Sequence, residues 1–130
     1  MQDRPSADEL LEAVAGFLRY DVMANTSGRV NFHARVAANV IEMLRREAGL
    51  EESALGREWD GLSSLLGVEA TPATMSELRE GTLRRNTELS QRIHDGWADE
   101  EPNRAATLAH LRSMMRDKLA VSNPGLLASE

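Results

Sequence analysis

The sequence predicts an all-α protein, a single-domain bundle of about five helices joined by short loops. Apolar residues recur with the 3.6-residue period of amphipathic helices, and glycine, proline and asparagine separate these periodic segments. No segment alternates apolar and polar residues as a half-buried strand does. With 130 residues, 42% of them hydrophobic, the chain has the size of one domain, 1–130, with one core.

The first predicted helix covers residues 6–23. Ser6 stands at its N-cap, and Glu9 three residues later completes a capping box, in which each side chain binds the other residue's backbone N–H. The run from Asn25 to Gly28 ends this helix. Its apolar residues follow the helical period: Leu10, Leu11, Val14, Phe17, Leu18 and Val22.

The second predicted helix, 29–48, carries apolar residues over more than half of its circumference, which is typical of the central helix of a bundle. Gly49 stands where a C-terminal cap is expected. The third helix, 53–66, has Trp59 on its apolar stripe and Gly67 as its stop.

The fourth predicted helix, 74–95, opens with a second capping box, Thr74 with Glu77. Residues of alternating charge at four-residue spacing indicate a solvated face on its other side. The fifth helix, 103–120, ends before Asn123 and Pro124.

The composition excludes several classes of protein. A formal charge of −6 argues against a nucleic-acid binder, because neutralising phosphates needs a net basic surface. No apolar run is long enough for a membrane span, and the first residues lack a secretory signal. Because there is no cysteine, disulfides and thiolate metal sites are excluded. We therefore expect a cytoplasmic protein that binds neither nucleic acid nor membrane.

Motifs of catalysis and metal binding are missing from the sequence. The carboxylate-bundle motif needs Glu three residues before His, and it fails at His33, His94 and His110. The Gly61–Leu65 segment begins like a nucleophile elbow but lacks the closing glycine. We therefore expect no cofactor, no metal and no catalytic residue, and an enzyme is the less favoured class.

Four polar residues fall on helix arcs that the wheel predicts to be buried: Asp21, His33, Asn39 and Asn86. One interpretation is structural, with Asp21 bonded to His33 or Arg35 to tie the first two helices together. The alternative is that Asp21, His33, Arg35, Asn39 and Asn86 line a polar pocket for a ligand. Arginine forks match phosphate geometry, so the ligand would be an anion.

Two tryptophans are further candidates for structural or binding roles. Trp59 and Trp97 are expected to be core anchors rather than ligand platforms. If Trp97 is exposed beside Gly96, it becomes an interface candidate, because large aromatic residues dominate contact energies.

Three segments resemble a short bacterial family of uncharacterised helical proteins. They are the opening from Gln2 to Val14, the string Phe32-His33-Ala34-Arg35-Val36-Ala37-Ala38-Asn39, and Leu108–Arg112 with the later Asn123-Pro124. Genes of that family tend to lie beside genes for acyl-CoA dehydrogenases and for kinases resembling aminoglycoside phosphotransferases. The resemblance implies an association with these enzymes, as a small accessory subunit, and implies no catalytic residues.

Two functions from different classes follow from these observations. The first is a non-catalytic helical accessory protein that binds another protein, in acyl-CoA or phosphotransferase-linked metabolism. The second is a protein that binds a small anionic molecule, or an enzyme, with its site around His33. Because a bundle with an exposed apolar stripe can pair with itself, both a monomer and a homodimer are compatible with the sequence.

Overall fold

The computed structural model describes residues 3–129, which form four helices and no strand. Gln2, the first residue of the opening quoted above, lies outside this range. Helix α1 consists of an α-helix, a π-helical segment and a last α-helical turn in direct succession. The elements are Ala7–Gly16, Phe17–Val22 and Met23–Asn25 in α1, Gly28–Leu66 (α2), Met75–His94 (α3), Asn103–Ser122 (α4) and a 3₁₀ segment, Pro124–Ser129. The predicted all-α class is confirmed.

Both predicted capping boxes are present at the starts of α1 and α3. The backbone N–H of Glu9 donates to Ser6 Oγ at 3.2 Å, and Ser6 N donates to Glu9 Oε2 at 2.6 Å. Thr74 and Glu77 repeat the arrangement, at 3.2 and 3.1 Å. Each box satisfies two backbone N–H groups that have no partner within the helix.

The predicted break at Gly49 is wrong. Gly49 lies inside α2, which joins the two helices predicted at 29–48 and 53–66. A glycine that caps a helix C-terminus adopts a left-handed conformation. Among the described residues that conformation is confined to Gly28, Gly67 and Gly96. Gly67, with φ at 105°, ends α2 as predicted.

The chain divides into two compact units, Met1–Gly49 and Leu50–Glu130. We call them unit 1 and unit 2, and we describe each by itself. The prediction of one domain over residues 1–130 stays a prediction.

Unit 1 is a helical hairpin formed by α1 and the first part of α2. Its buried residues are small: Ala15 is 1% exposed, Ala34 is 6% and Ala38 is 1%. Asn31 joins the two helices near the turn, because its Nδ2 donates to the carbonyl oxygens of Met23, at 2.7 Å, and of Thr26, at 3.0 Å. Alanine contacts let the two helices lie close together while larger side chains stay outside.

Unit 2 contains the rest of α2 together with α3 and α4, and it encloses large apolar side chains. Trp59, Leu62, Leu78 and Leu89 are all buried. Gly81 on α3 provides space for the indole: a Cβ at this position would lie 2.9 Å from Trp59 Cζ3. The expectation that Trp59 is a core anchor is confirmed.

Candidate functional site

The polar residues predicted for a ligand pocket are not enclosed by the protein. Asp21, His33, Arg35 and Asn39 belong to unit 1, and all four are exposed. The prediction that Asp21, His33 and Asn39 face the interior is therefore wrong. In the described part of the chain, no hydrogen bond or ion pair joins Asp21 to His33 or to Arg35. The predicted tie between the two helices is made instead by Asn31.

His33 and Asn39 are exposed because the neighbouring helix covers only a narrow arc of α2. The helical wheel assumes that a helix rich in apolar residues is surrounded by others. Within unit 1 α2 has one neighbouring helix, and contact between two helices covers a narrow line, here marked by Ala34 and Ala38. His33 and Asn39 directly precede or follow these alanines, about 100° around the helix, and so they remain in water.

Asn86, the fifth predicted site residue, lies on α3 in unit 2 and is half-buried. Its Nδ2 donates to Glu58 Oε1 at 2.6 Å. This bond joins α3 to α2 inside unit 2 and satisfies the amide, as the structural interpretation predicts for a polar residue on an apolar stripe.

His33 and Arg29 line an apolar groove between the two helices of unit 1. The groove has a volume of about 540 Å³ and is lined by Leu18, Val22, Arg29, Val30, His33, Ala34 and Ala37. Arg29 Nε donates to His33 Nε2 at 3.3 Å. The His33 ring also meets the Phe32 ring edge-on, with centroids 5.6 Å apart. Two basic side chains therefore border an otherwise hydrophobic groove.

A broad set of large apolar side chains is exposed on unit 1. On each helix these residues recur at three- or four-residue spacing, so they share one side of the helix. We call this set the hairpin face: Leu10, Val14 and Phe17 of α1, with Phe32, Val36, Val40, Met43 and Leu44 of α2. Their exposed fractions range from 36% to 60%.

Ion pairs occupy the opposite side of the hairpin. Arg45 makes two bonds with the Asp8 carboxylate, at 2.7 and 2.9 Å, and Arg19 Nη1 lies 3.2 Å from Glu42 Oε1. The hydrogen bond from Arg45 lowers the pKa of Asp8 below its ordinary value. On α2, Glu42 lies about 160° around the helix from Val40, two residues before it on the hairpin face, when each residue turns by about 100°. On α2 the paired Glu42 therefore lies on the other side of the helix from Val40.

In unit 2 the most deeply buried charged group is Arg85, which is 0% exposed. Its guanidinium donates to the carbonyl oxygens of Leu62, at 3.2 Å, and of Gly67, and to Ser63 Oγ at 3.1 Å. It also lies 5.0 Å from the ring centroid of Trp59. These bonds satisfy carbonyl groups at the C-terminus of α2, where a positive charge is favoured by the helix dipole.

The burial of Arg85 was not predicted from the sequence, because charged residues are seldom buried. A signal was present, since Arg85 follows Leu78 by seven residues and Thr82 by three, on the apolar stripe of α3.

His110 is another buried polar residue of unit 2, and it is 8% exposed. Its Nδ1 faces Gly61, where a Cβ would lie only 2.3 Å away. Burial lowers the pKa of His110 below its ordinary value, and the nearby Glu58 carboxylate partly opposes this. No described group bonds its Nε2. The neutral ring therefore acts as a core side chain that packs on a glycine of α2.

Trp97 is half-buried, and the Arg92 guanidinium lies 5.6 Å from its ring centroid. The expectation that Trp97 is a core anchor stays a prediction.

The described residues contain no group of three or more His, Asp or Glu side chains that could hold a metal ion. Within the same range, no helix combines the length and the hydrophobicity that crossing a bilayer requires.

Comparison with known proteins identifies one family. The model of the family described as domain of unknown function (DUF6285) matches residues 24–126. No curated protein and no solved structure shows significant similarity to the chain. Because the match spans most of its length, the chain belongs to this family, which agrees with the resemblance to an uncharacterised helical family.

Proposed function

We propose that this member of a family of unknown function is a non-catalytic accessory protein that binds another protein through the hairpin face. The observation that carries the proposal is the exposure of eight large apolar side chains on two adjacent helices. Large apolar side chains exposed along one side of a helix are unfavourable in water and are typical of protein-binding sites.

The chemistry of the hairpin face favours a protein over a small molecule. Its two phenylalanines, Phe17 and Phe32, are 57% and 60% exposed. Aromatic side chains of this size provide a large share of the binding energy once a partner encloses them. The ion pairs of Arg45 and Arg19 on the opposite side keep that side hydrated, so the two sides differ in the partners they can contact.

The resemblance noted in the sequence supplies the first partners to test, an acyl-CoA dehydrogenase and a kinase resembling aminoglycoside phosphotransferases. An accessory subunit of either enzyme works in the cytoplasm and needs no cofactor of its own. The partner helix or sheet that meets the hairpin face would itself be apolar.

The experiment is a binding titration of the full chain with each of these purified enzymes, followed by calorimetry. We expect one of them to bind, and we expect Val40→Glu to weaken that binding at least tenfold, because it buries an unpaired carboxylate. Val68→Glu is the matched control, since Val68 is 90% exposed in unit 2. Equal loss of binding in both variants, or unchanged binding in both, contradicts the proposal.

A second candidate function is supported by the groove beside His33. Its basic residues, Arg29 and His33, lie next to apolar walls, which suits an anion with a hydrophobic part. Inorganic phosphate followed by NMR is the first probe. His33→Ala should abolish the shifts at the groove and leave the fold intact. Shifts that persist in this variant would contradict the candidate.

A further inference from the structure

We infer that, when no other protein is bound, a second copy of this chain covers the stripe that α2 contributes to the hairpin face, with the two copies of α2 antiparallel. The inference rests on the proposed function, because it requires the hairpin face to be a protein-binding surface. The inference adds to the proposed function the identity of one partner, which is a second copy of the chain. The argument comes from the position of two charged residues at the ends of the apolar stripe.

Arg29 and Glu47 delimit the stripe that α2 contributes to the hairpin face. Glu47 follows Arg29 by 18 residues, which is five full turns of an α-helix, so both lie on the same side of α2 as Val36 and Val40. Both charged residues are exposed. Arg29 Nε donates to His33, and among the described residues no carboxylate is bonded to Arg29. The stripe is therefore basic at its first end, apolar in the middle and acidic at its last end.

This charge order matches a reversed copy of itself. If a two-fold axis passes beside the midpoint of the stripe, Arg29 of each chain meets Glu47 of the other chain, and Val36 meets Val40. A parallel arrangement would put like charges together at both ends, which is unfavourable. Two-fold pairing in which the same surface is used twice is also the commonest form of protein oligomer.

The first test measures the mass of the full chain by sedimentation equilibrium over a range of concentrations. We expect the wild type to dimerise reversibly, and Val36→Glu and Val40→Glu to remain monomeric. Val68→Glu, the same substitution on an exposed residue of unit 2, should dimerise like the wild type. A wild type that is monomeric at every concentration, or a dimer that persists in Val40→Glu, overturns the inference.

The second test examines the antiparallel register. Arg29→Glu and Glu47→Arg each create two repulsive contacts, and each should raise the dissociation constant of the dimer by about tenfold or more. The double variant Arg29→Glu/Glu47→Arg restores opposite charges and should return the constant near that of the wild type. A double variant that is as weak as the single variants overturns the register.

The two proposals fail in different ways. If the wild type is monomeric and Val40→Glu no longer binds the enzyme, the inference of a second copy is wrong and the proposed function stands. If the wild type dimerises through the hairpin face and neither enzyme binds, the second copy stands and the enzyme partner is wrong. If the wild type is monomeric and Val40→Glu binds the enzyme normally, both proposals are wrong.

Discussion

Units 1 and 2 differ in the apolar side chains that they bury. Among the described residues of unit 1, the buried side chains are those of three alanines, and phenylalanine, valine and leucine residues are exposed. In unit 2 a tryptophan and three leucines are buried, together with Arg85 and His110. Unit 2 therefore encloses four large apolar side chains, whereas the described part of unit 1 buries no side chain larger than alanine.

The difference shows where folding free energy arises within a single chain. Burial stabilises in proportion to the apolar area removed from water, about 25 cal/mol per Å², and an alanine side chain offers little area. Unit 2 obtains its stabilisation from its own core. In unit 1 much of the area of the large apolar side chains remains exposed to water.

The largest contrast is expected between two aromatic substitutions. Trp59→Ala should lower the free energy of unfolding by about 3–5 kcal/mol, because it removes a 3% exposed indole and leaves a cavity against Gly81. Phe32→Ala should change it by less than about 1 kcal/mol, since Phe32 is 60% exposed. Urea unfolding followed by circular dichroism, at a concentration where the chain is monomeric, measures both. Similar losses in the two variants would remove the distinction between the units.

A smaller and opposite pair of effects is expected at two glycines of α2. In Gly61→Ala the new Cβ would lie 2.3 Å from His110 Nδ1, and the required shift should cost about 1–3 kcal/mol. Gly49→Ala has no atom within 4 Å of its Cβ, and it should stabilise the helix by about 0.5–1 kcal/mol. The midpoints of thermal unfolding should therefore move in opposite directions. A lower midpoint for both would show that Gly49 is not open to solvent.

The smallest expected effect is the pH dependence contributed by His110. Because burial lowers its pKa in the folded state below the ordinary value of 6.5, the unfolded state binds the proton more readily. This contribution to stability is full above pH 6.5 and is lost as the pH falls through the lowered pKa. Urea unfolding at several pH values gives the free energy of unfolding as a function of pH. We expect His110→Gln to reduce the slope of this dependence. An unchanged slope in that variant would exclude His110 as its source.

Local signals in the sequence predicted the helix ends well where side chains bond to the nearby backbone. The pairs Ser6 with Glu9 and Thr74 with Glu77 are recognisable because a capping box depends on residues three apart. The prediction at Gly49 was wrong because a glycine can end a helix but does not have to. Whether it does so depends on packing beyond the local sequence.

The exposed apolar surface of unit 1 was harder to predict than the helices. Periodicity identified the apolar residues of α2 correctly, but it does not say how many helices surround them. The wheel therefore assigned His33 and Asn39 to the interior and gave no indication that Val36 and Val40 are exposed. Arg85 was missed for the converse reason, since its burial depends on carbonyl groups of another helix.

The π-helical segment Phe17–Val22 has a consequence for insertions and deletions in α1. Such a segment accommodates about one residue more than an α-helix of the same length does, without rotating the parts on either side. Loss of one residue within it, such as Tyr20, would leave Leu10 and Val14 on the hairpin face. The same deletion among residues 11–13 would turn Leu10 by about 100° away from that face. Homologues that differ in length along α1 are therefore expected to gain or lose residues at this segment.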